Sequence, residues 1–294
     1  MGLGLLALLG CQPARGTPDP PDARLNEQLA EGRVALMAAD VEVLRLAVHP
    51  VLNDRMTPEA WGPLMDHVGD LIGVPIEVSL VRGYGELEEG ILGGWLDGGL
   101  LTAFDYVQAD ELLDLHVVAT PIVGGSLTYH AYVVALADQP VRELQGLADL
   151  EGLPVAFVHP RSASGWAYPA AMMVEAGLDP FRHARFQGSH GGVVAAVEEG
   201  SVLAGAIYGG LYEGDPLRIV AKSDPIPYDA MVLRGGLPVE AAEALAAALN
   251  SVDTRSERGR LLLQPLSNIN GFVAVGPDHF DGVRAVHDTL ESAQ

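Results

Sequence analysis

Short apolar runs alternate with longer amphipathic stretches along this chain, and that alternation leaves few folds open to it. Val43-Leu-Arg-Leu-Ala-Val48 reads as a buried strand. Pro58–Ile72 then sets Trp61, Leu64, Met65, Val68 and Ile72 on one helical face, the spacing of an amphipathic helix. Thr57 is placed to cap it, and Pro58 suits the first turn, where a missing N–H costs nothing. Strand and helix go on alternating through Ile76–Val81, the turn Arg82-Gly-Tyr-Gly85 with a helix through Leu92, and Leu100–Phe104. The pattern restarts at Ala131–Ala135, Pro154–Val158 and Val202–Tyr208, with helices near Trp166–Ala176 and Gly191–Glu199 closed by Gly177 and Gly200. A helix at Pro238–Leu249 and a strand at Gly271–Val275 follow. Such alternation predicts an α/β protein of two lobes, each a mostly parallel sheet flanked by helices. Residues 41–126 with 229–294 form the first lobe and 127–228 the second, with hinge crossings near Gly125–Tyr129 and Lys222–Asp229.

The stretch Phe157-Val-His-Pro-Arg-Ser-Ala-Ser-Gly-Trp-Ala-Tyr-Pro169 and the later Gly188-Ser-His190-Gly-Gly each follow a strand and open a helix. A helix start offers unpaired N–H groups and the positive end of a dipole, which together seat an anion. Ser162, Ser164 and His190 stand at these two starts. Serine is equally a plain N-cap, so the hydroxyls alone do not decide between capping and binding. Tyr84 lies between two glycines, where a large aromatic in a loop calls for a reason. Tyr106 fits either a pocket or a packed core, Asp105 is expected to cap the helix that follows it, and Arg161 is expected to be solvated at the pocket rim.

Composition removes several functions. The net charge of −22, with Lys222 the only lysine, argues against nucleic acid as a partner. Nine histidines include no His-Glu-x-x-His or similar spacing, so no metal or other cofactor is expected. Ser164, His190 and Asp229 superficially resemble a hydrolase set, but the Gly-x-Ser-x-Gly elbow is absent. The lone cysteine, Cys11, allows no intramolecular disulfide. It ends an apolar run too short to span a bilayer, and Leu8-Leu9-Gly10-Cys11 resembles the lipobox of bacterial lipoproteins, in which the cysteine is lipidated. Residues 1–11 are therefore expected to be a lipoprotein signal and 12–40 a tether that includes a weakly amphipathic helical stretch from residue 25.

Taken together, Val81-Arg-Gly-Tyr84, Phe104-Asp-Tyr106-Val, Ser162-Ala-Ser164-Gly-Trp, Gly188-Ser-His190, Ile226-Pro-Tyr-Asp229 and Ile269-Asn-Gly-Phe-Val273 occur in a telling order. In order and spacing they resemble the substrate-binding proteins of bacterial phosphonate, phosphite and phosphate ABC importers. The likeness runs from about Val43 to about Val286. It implies a two-lobed, flytrap-like periplasmic binding protein whose cleft closes on a small phosphorus oxyanion for a membrane permease. Carried over by motif, the ligand-binding residues are Tyr84, Tyr106, Ser162, Ala163, Ser164, His190 and Asp229. Ala163 stands where the family usually has threonine, and Ala230 follows Asp229 in place of the common proline. The resemblance implies no enzyme activity and a lipid-anchored monomer outside the cytoplasm. A sensing module that reports the ligand to a signalling partner would use the same closing motion.

Overall fold

The computed structural model describes residues 22–49, 57–83, 85–138, 146–211, 216–266 and 268–294. The expectations for Cys11, the leader and Tyr84 fall outside the described residues.

Local chemistry sets the elements much as the residue pattern implies. Helix α1 (Asp22–Ala38) precedes strand β1 (Leu44–Val48), helix α2 (Pro58–Ile72) and strand β2 (Ile76–Leu80). Thr57 Oγ1 accepts the Ala60 N–H at 3.3 Å at the start of α2, and Gly73 ends it at φ 78°, its N–H donating to Gly69 O. Next come α3 (Glu86–Leu92), β3 (Gly98–Leu101), α4 (Ala103–Leu113) and β4 (Leu115–Val123). The chain then crosses through β5 (Thr128–Tyr129) to β6 (Ala131–Leu136), β7 (Val155–Phe157), α5 (Tyr168–Glu175) and the short α6 (Pro180–His183). It continues through β8 (Ala184–Phe186), α7 (His190–Glu198), β9 (Ala204–Tyr208) and β10 (Leu217–Lys222). It returns through β11 (Ile226–Pro227) to β12 (Ala230–Arg234), α8 (Val239–Asn250), α9 (Glu257–Leu263), β13 (Ile269–Ala274) and α10 (Asp281–Ser292).

The strands form two main sheets, in the orders β13-β4-β12-β3-β1-β2 and β10-β6-β9-β7-β8. β5 and β11, the two crossing segments, pair with each other antiparallel. Both main sheets are mixed where a mostly parallel pattern was expected. β1 pairs in parallel with β2 and β3, and β7 with β8 and β9, but β4, β12, β13, β6 and β10 join antiparallel. The crossing explains part of the difference: β4 runs toward the second sheet, β12 returns from it, and the two lie side by side in opposite directions. Central strands such as β6, β7 and β9 are buried on both faces, while the edge strands β2, β8 and β10 are partly exposed, as expected for a sheet covered by helices on both faces.

Residues 22–38, within the stretch read as a tether, form α1 docked along α8. Leu29 and Leu36 are buried in one cluster with Ala241, Ala244, Leu245 and Ala248. A second cluster runs continuously between the two sheets, joining Phe104 and Tyr106 to Phe157, Trp166 and the α10 residues Val283 and Leu290. No helix among the described residues is long and apolar enough to cross a membrane.

Candidate functional site

Parallel strands deliver their following loops to one edge, and that edge is where α/β sheets place ligands. In the second sheet, the turn after β7 carries Arg161 to Ser164, the turn after β8 carries Ser189 and His190, and β9 ends at Tyr208. In the first sheet, β1 leads to His49, β2 to Gly85 and β3 to Asp105.

The Ser162 turn winds as a wide π-type turn over Ala163–Ala167 before α5 begins, a local form that recurs at functional sites. Ser162 Oγ accepts the Gly165 N–H at 3.0 Å, so its own O–H is left to donate to a ligand. Ala163 and Ser164 are buried in the same turn, and their N–H groups belong to the unpaired first turn. The Ala163 methyl packs into the apolar cluster with Trp166. What this position can offer an anion is therefore its backbone N–H.

Ser189 caps α7, its Oγ accepting the Gly192 N–H at 3.0 Å, and that turn sets His190 as the first helical residue. The His190 ring stands edge-on to Tyr208, with centroids 4.9 Å apart. Its Nδ1 is buried and finds no hydrogen-bond partner among the described residues. Burial pushes the pKa down to about 4, so at neutral pH the ring is uncharged and able to donate one N–H to an oxyanion.

Asp229 follows the crossing strand β11 and is 6% exposed. Burial, with the nearby charge of Asp105 adding to it, pushes its carboxyl up to about 7. No group among the described residues hydrogen-bonds it, which is unusual for a buried carboxyl.

Three features escaped the sequence reading. Thr102, rather than Asp105, caps α4, accepting the Asp105 N–H at 3.3 Å. The buried Asp105 carboxylate instead accepts from Arg161 Nε and from the Gly85 N–H. Burial raises its pKa to about 6, against the pull of Arg161. Arg161 is likewise not a solvated rim residue: it pairs with Asp105 and with Glu88, its Nη2 lying 2.7 Å from Glu88 Oε2. Burial depresses the protonation of both His49 and His159, helped at His49 by the charge of His159, against the opposing pull of Glu86, and at His159 by Arg161. The one available signal for these residues was their position just beyond strand ends, which does not reveal pairing across sheets.

Tyr106 is not brought to this site. Its hydroxyl donates to Asp110 Oδ2 at 3.0 Å and accepts from Arg284 Nη2 at 3.1 Å, and its ring packs 4.9 Å from Phe280. Of its two sequence readings the packed core holds, because α4 turns adjacent residues about 100° apart and only Asp105 faces Arg161. A cavity of about 580 Å³ beside the site is lined by Phe104, Gln108, Trp166, Phe181, Phe186 and His287, and includes none of Ser162, His190 or Asp229. No cluster among the described residues is fit to hold a metal ion.

A family model described as the periplasmic substrate-binding protein of the phosphonate ABC transporter matches residues 46–280. The chain belongs to that family. Its members are transport binding proteins, not enzymes, so Ser164, His190 and Asp229 form no hydrolase set. The phosphate-import protein PhnD of Mycolicibacterium smegmatis is 27% identical over 227 residues, covering 69% of this chain and 70% of its own. PhnD1 of Prochlorococcus marinus, solved with methylphosphonate, superposes with a TM-score of 0.70 at 18% identity, covering 85% of this chain and 98% of its own. XAC2383 of Xanthomonas citri, solved bound to ATP, gives 0.71 at 18% identity, covering 86% and 98%. At that identity the structural likenesses speak for the fold, with its two sheets and flanking helices. The chain is thus a periplasmic substrate-binding protein of the phosphonate ABC transporter family.

Proposed function

We propose that this protein captures a small phosphorus oxyanion that brings its own proton or amine donor into the cleft. The observation that carries this reading is Asp229, a buried carboxyl with no hydrogen-bond partner among the described residues, close enough to feel the charge of Asp105, which itself pairs with Arg161 beside the Ser162 turn. A carboxylate repels a bare oxyanion, but it is satisfied by a P–OH or an ammonium group. Ser162 and Ser164 hydroxyls, the Ala163 N–H and neutral His190 supply donors to the remaining oxygens, and Tyr84 is placed by motif alone. Phosphate, phosphite and small phosphonates fit this scheme, in line with the import protein and the methylphosphonate-bound structure named above. Sulfate at neutral pH brings no proton and is disfavoured.

The two lobes, 41–126 with 229–294 and 127–228, would close about the paired crossing strands β5 and β11. Lipidation at Cys11 would hold the protein as a monomer at the membrane beside its permease, and Cys11→Ser should release it from the membrane fraction. Calorimetric titration at pH 8 with phosphate, phosphite, methylphosphonate and sulfate tests the ligand reading. At least one phosphorus oxyanion is expected to bind at least tenfold more tightly than sulfate. Equal affinity for sulfate would overturn the role given to Asp229.

A further inference from the structure

Arg161 immediately precedes the anion-seating turn in the sequence, yet its side chain is committed to the other half of the molecule. Its Nε meets Asp105 of α4, and its Nη2 meets Glu88 of α3 at 2.7 Å. The guanidinium lies over Gly85, where a Cβ would come within 3.1 Å of Nη1. The Arg161 N–H also donates to His159 Nδ1 at 3.2 Å, which fixes the direction in which the side chain leaves the backbone. Both carboxylates are largely withdrawn from water, with 5% of the Asp105 and 14% of the Glu88 side chain exposed, against 24% for Arg161. The other ion pairs among the described residues, such as Arg45–Glu77, Arg234–Asp97 and Arg284–Asp110, lie outside segment 131–222. Arg161 alone among the described ion pairs ties that segment to the rest of the chain.

We propose that Arg161 is a positioning residue that clasps the Ser162–Ser164 turn to α3 and α4 and thereby sets how long the cleft stays closed. A guanidinium can hold two carboxylates at once because its donors are spread in a rigid planar fork, which lysine lacks. Removing it also leaves Asp105 and Glu88 facing one another with no countercharge, so opening becomes the way to rehydrate them. The inference rests on the reading that the two halves move. Its decisive measurement is therefore made without ligand.

Small-angle X-ray scattering of the ligand-free protein is compared for wild type, Arg161→Gln, Arg161→Lys, Glu88→Gln and the Arg161→Gln/Glu88→Gln pair. The clasp predicts a larger radius of gyration for Arg161→Gln, partial recovery in Arg161→Lys, and a double variant no more open than Arg161→Gln alone. With inorganic phosphate as the probe, dissociation followed by tryptophan fluorescence should be about tenfold faster in Arg161→Gln, equivalent to roughly 1.4 kcal/mol. Identical ligand-free scattering for wild type and Arg161→Gln overturns the clasp, even if phosphate affinity falls, because that pattern marks a direct ligand contact. Failure of every variant, wild type included, to bind phosphate would count against the ligand reading, while scattering still decides the clasp.

Discussion

A carboxyl with a pKa of about 7 is half protonated at neutral pH, and Asp229 reaches that state because burial and the nearby charge of Asp105 both disfavour its ionised form. The consequence for stability has a definite sign. Between its ordinary value near 3.8 and about 7, the folded protein holds this proton more tightly than the unfolded chain does. Its contribution is thus most favourable in acid and is lost as pH rises through 7. Asp229→Asn removes the charge without changing shape, so it should stabilise the ligand-free protein at pH 8 by roughly 2–4 kcal/mol, about 5 °C or more in Tm. The gain should vanish near pH 4. Melting curves from pH 4 to 8 check this, and a variant less stable than wild type at pH 8 would sink it. His190 acts in the opposite sense: with its folded pKa depressed to about 4, its neutral burial becomes costly as pH falls below 6.5. Replacing it with Gln should therefore lessen the acid lability of the fold between pH 6.5 and 4, read from the same curves.

At the level of elements, docking of α1 on α8 depends on one glycine. A Cβ on Gly32 would lie 2.1 Å from Ala244 Cβ and 2.7 Å from Glu240 O, distances that only a shift of one helix can relieve. Alanine gains about 1 kcal/mol in helix propensity over glycine, but overpacking at such a contact costs about 1–3 kcal/mol. The clash should win, since one of the atoms met is backbone and cannot rotate away. Gly32→Ala is expected to lower the denaturant midpoint and loosen hydrogen-exchange protection in α1, with phosphate affinity unchanged. Unaltered protection of α1 would show that the helices part freely. This helix also marks a limit of sequence reading. Leu29 and Leu36 face the core without the dense apolar stripe that made α2 plain, so α1 fell within the stretch read as a tether. The strands were legible because their central members are apolar on both faces. Their antiparallel partners were not, because direction is set by where the chain crosses between sheets. Ser162, Ser164, His190 and Asp229 could be singled out as candidates from turn chemistry and family motif. Arg161, Glu88 and Asp105 could not, since their pairing joins residues far apart in the chain.

At the scale of the whole molecule, a protein of net charge −22 must attract an anion. Two fields compete. The diffuse negative field reaches about 30 Å at 0.01 M salt but only about 8 Å at 0.15 M. The donors proposed at the Ser162 turn and the His190 helix start would act within contact distance, where screening matters little. Added salt should therefore weaken the long-range repulsion and leave the local attraction nearly intact. The association rate of phosphate, measured by stopped-flow tryptophan fluorescence, should rise roughly two- to fivefold from 0.01 to 0.15 M salt, while dissociation changes little. This is the reverse of an electrostatically steered encounter, in which salt slows capture. A rate that falls with salt would mean that the cleft projects a positive field well beyond its mouth. The described charges leave little source for one, because Arg161 is already neutralised by Asp105 and Glu88.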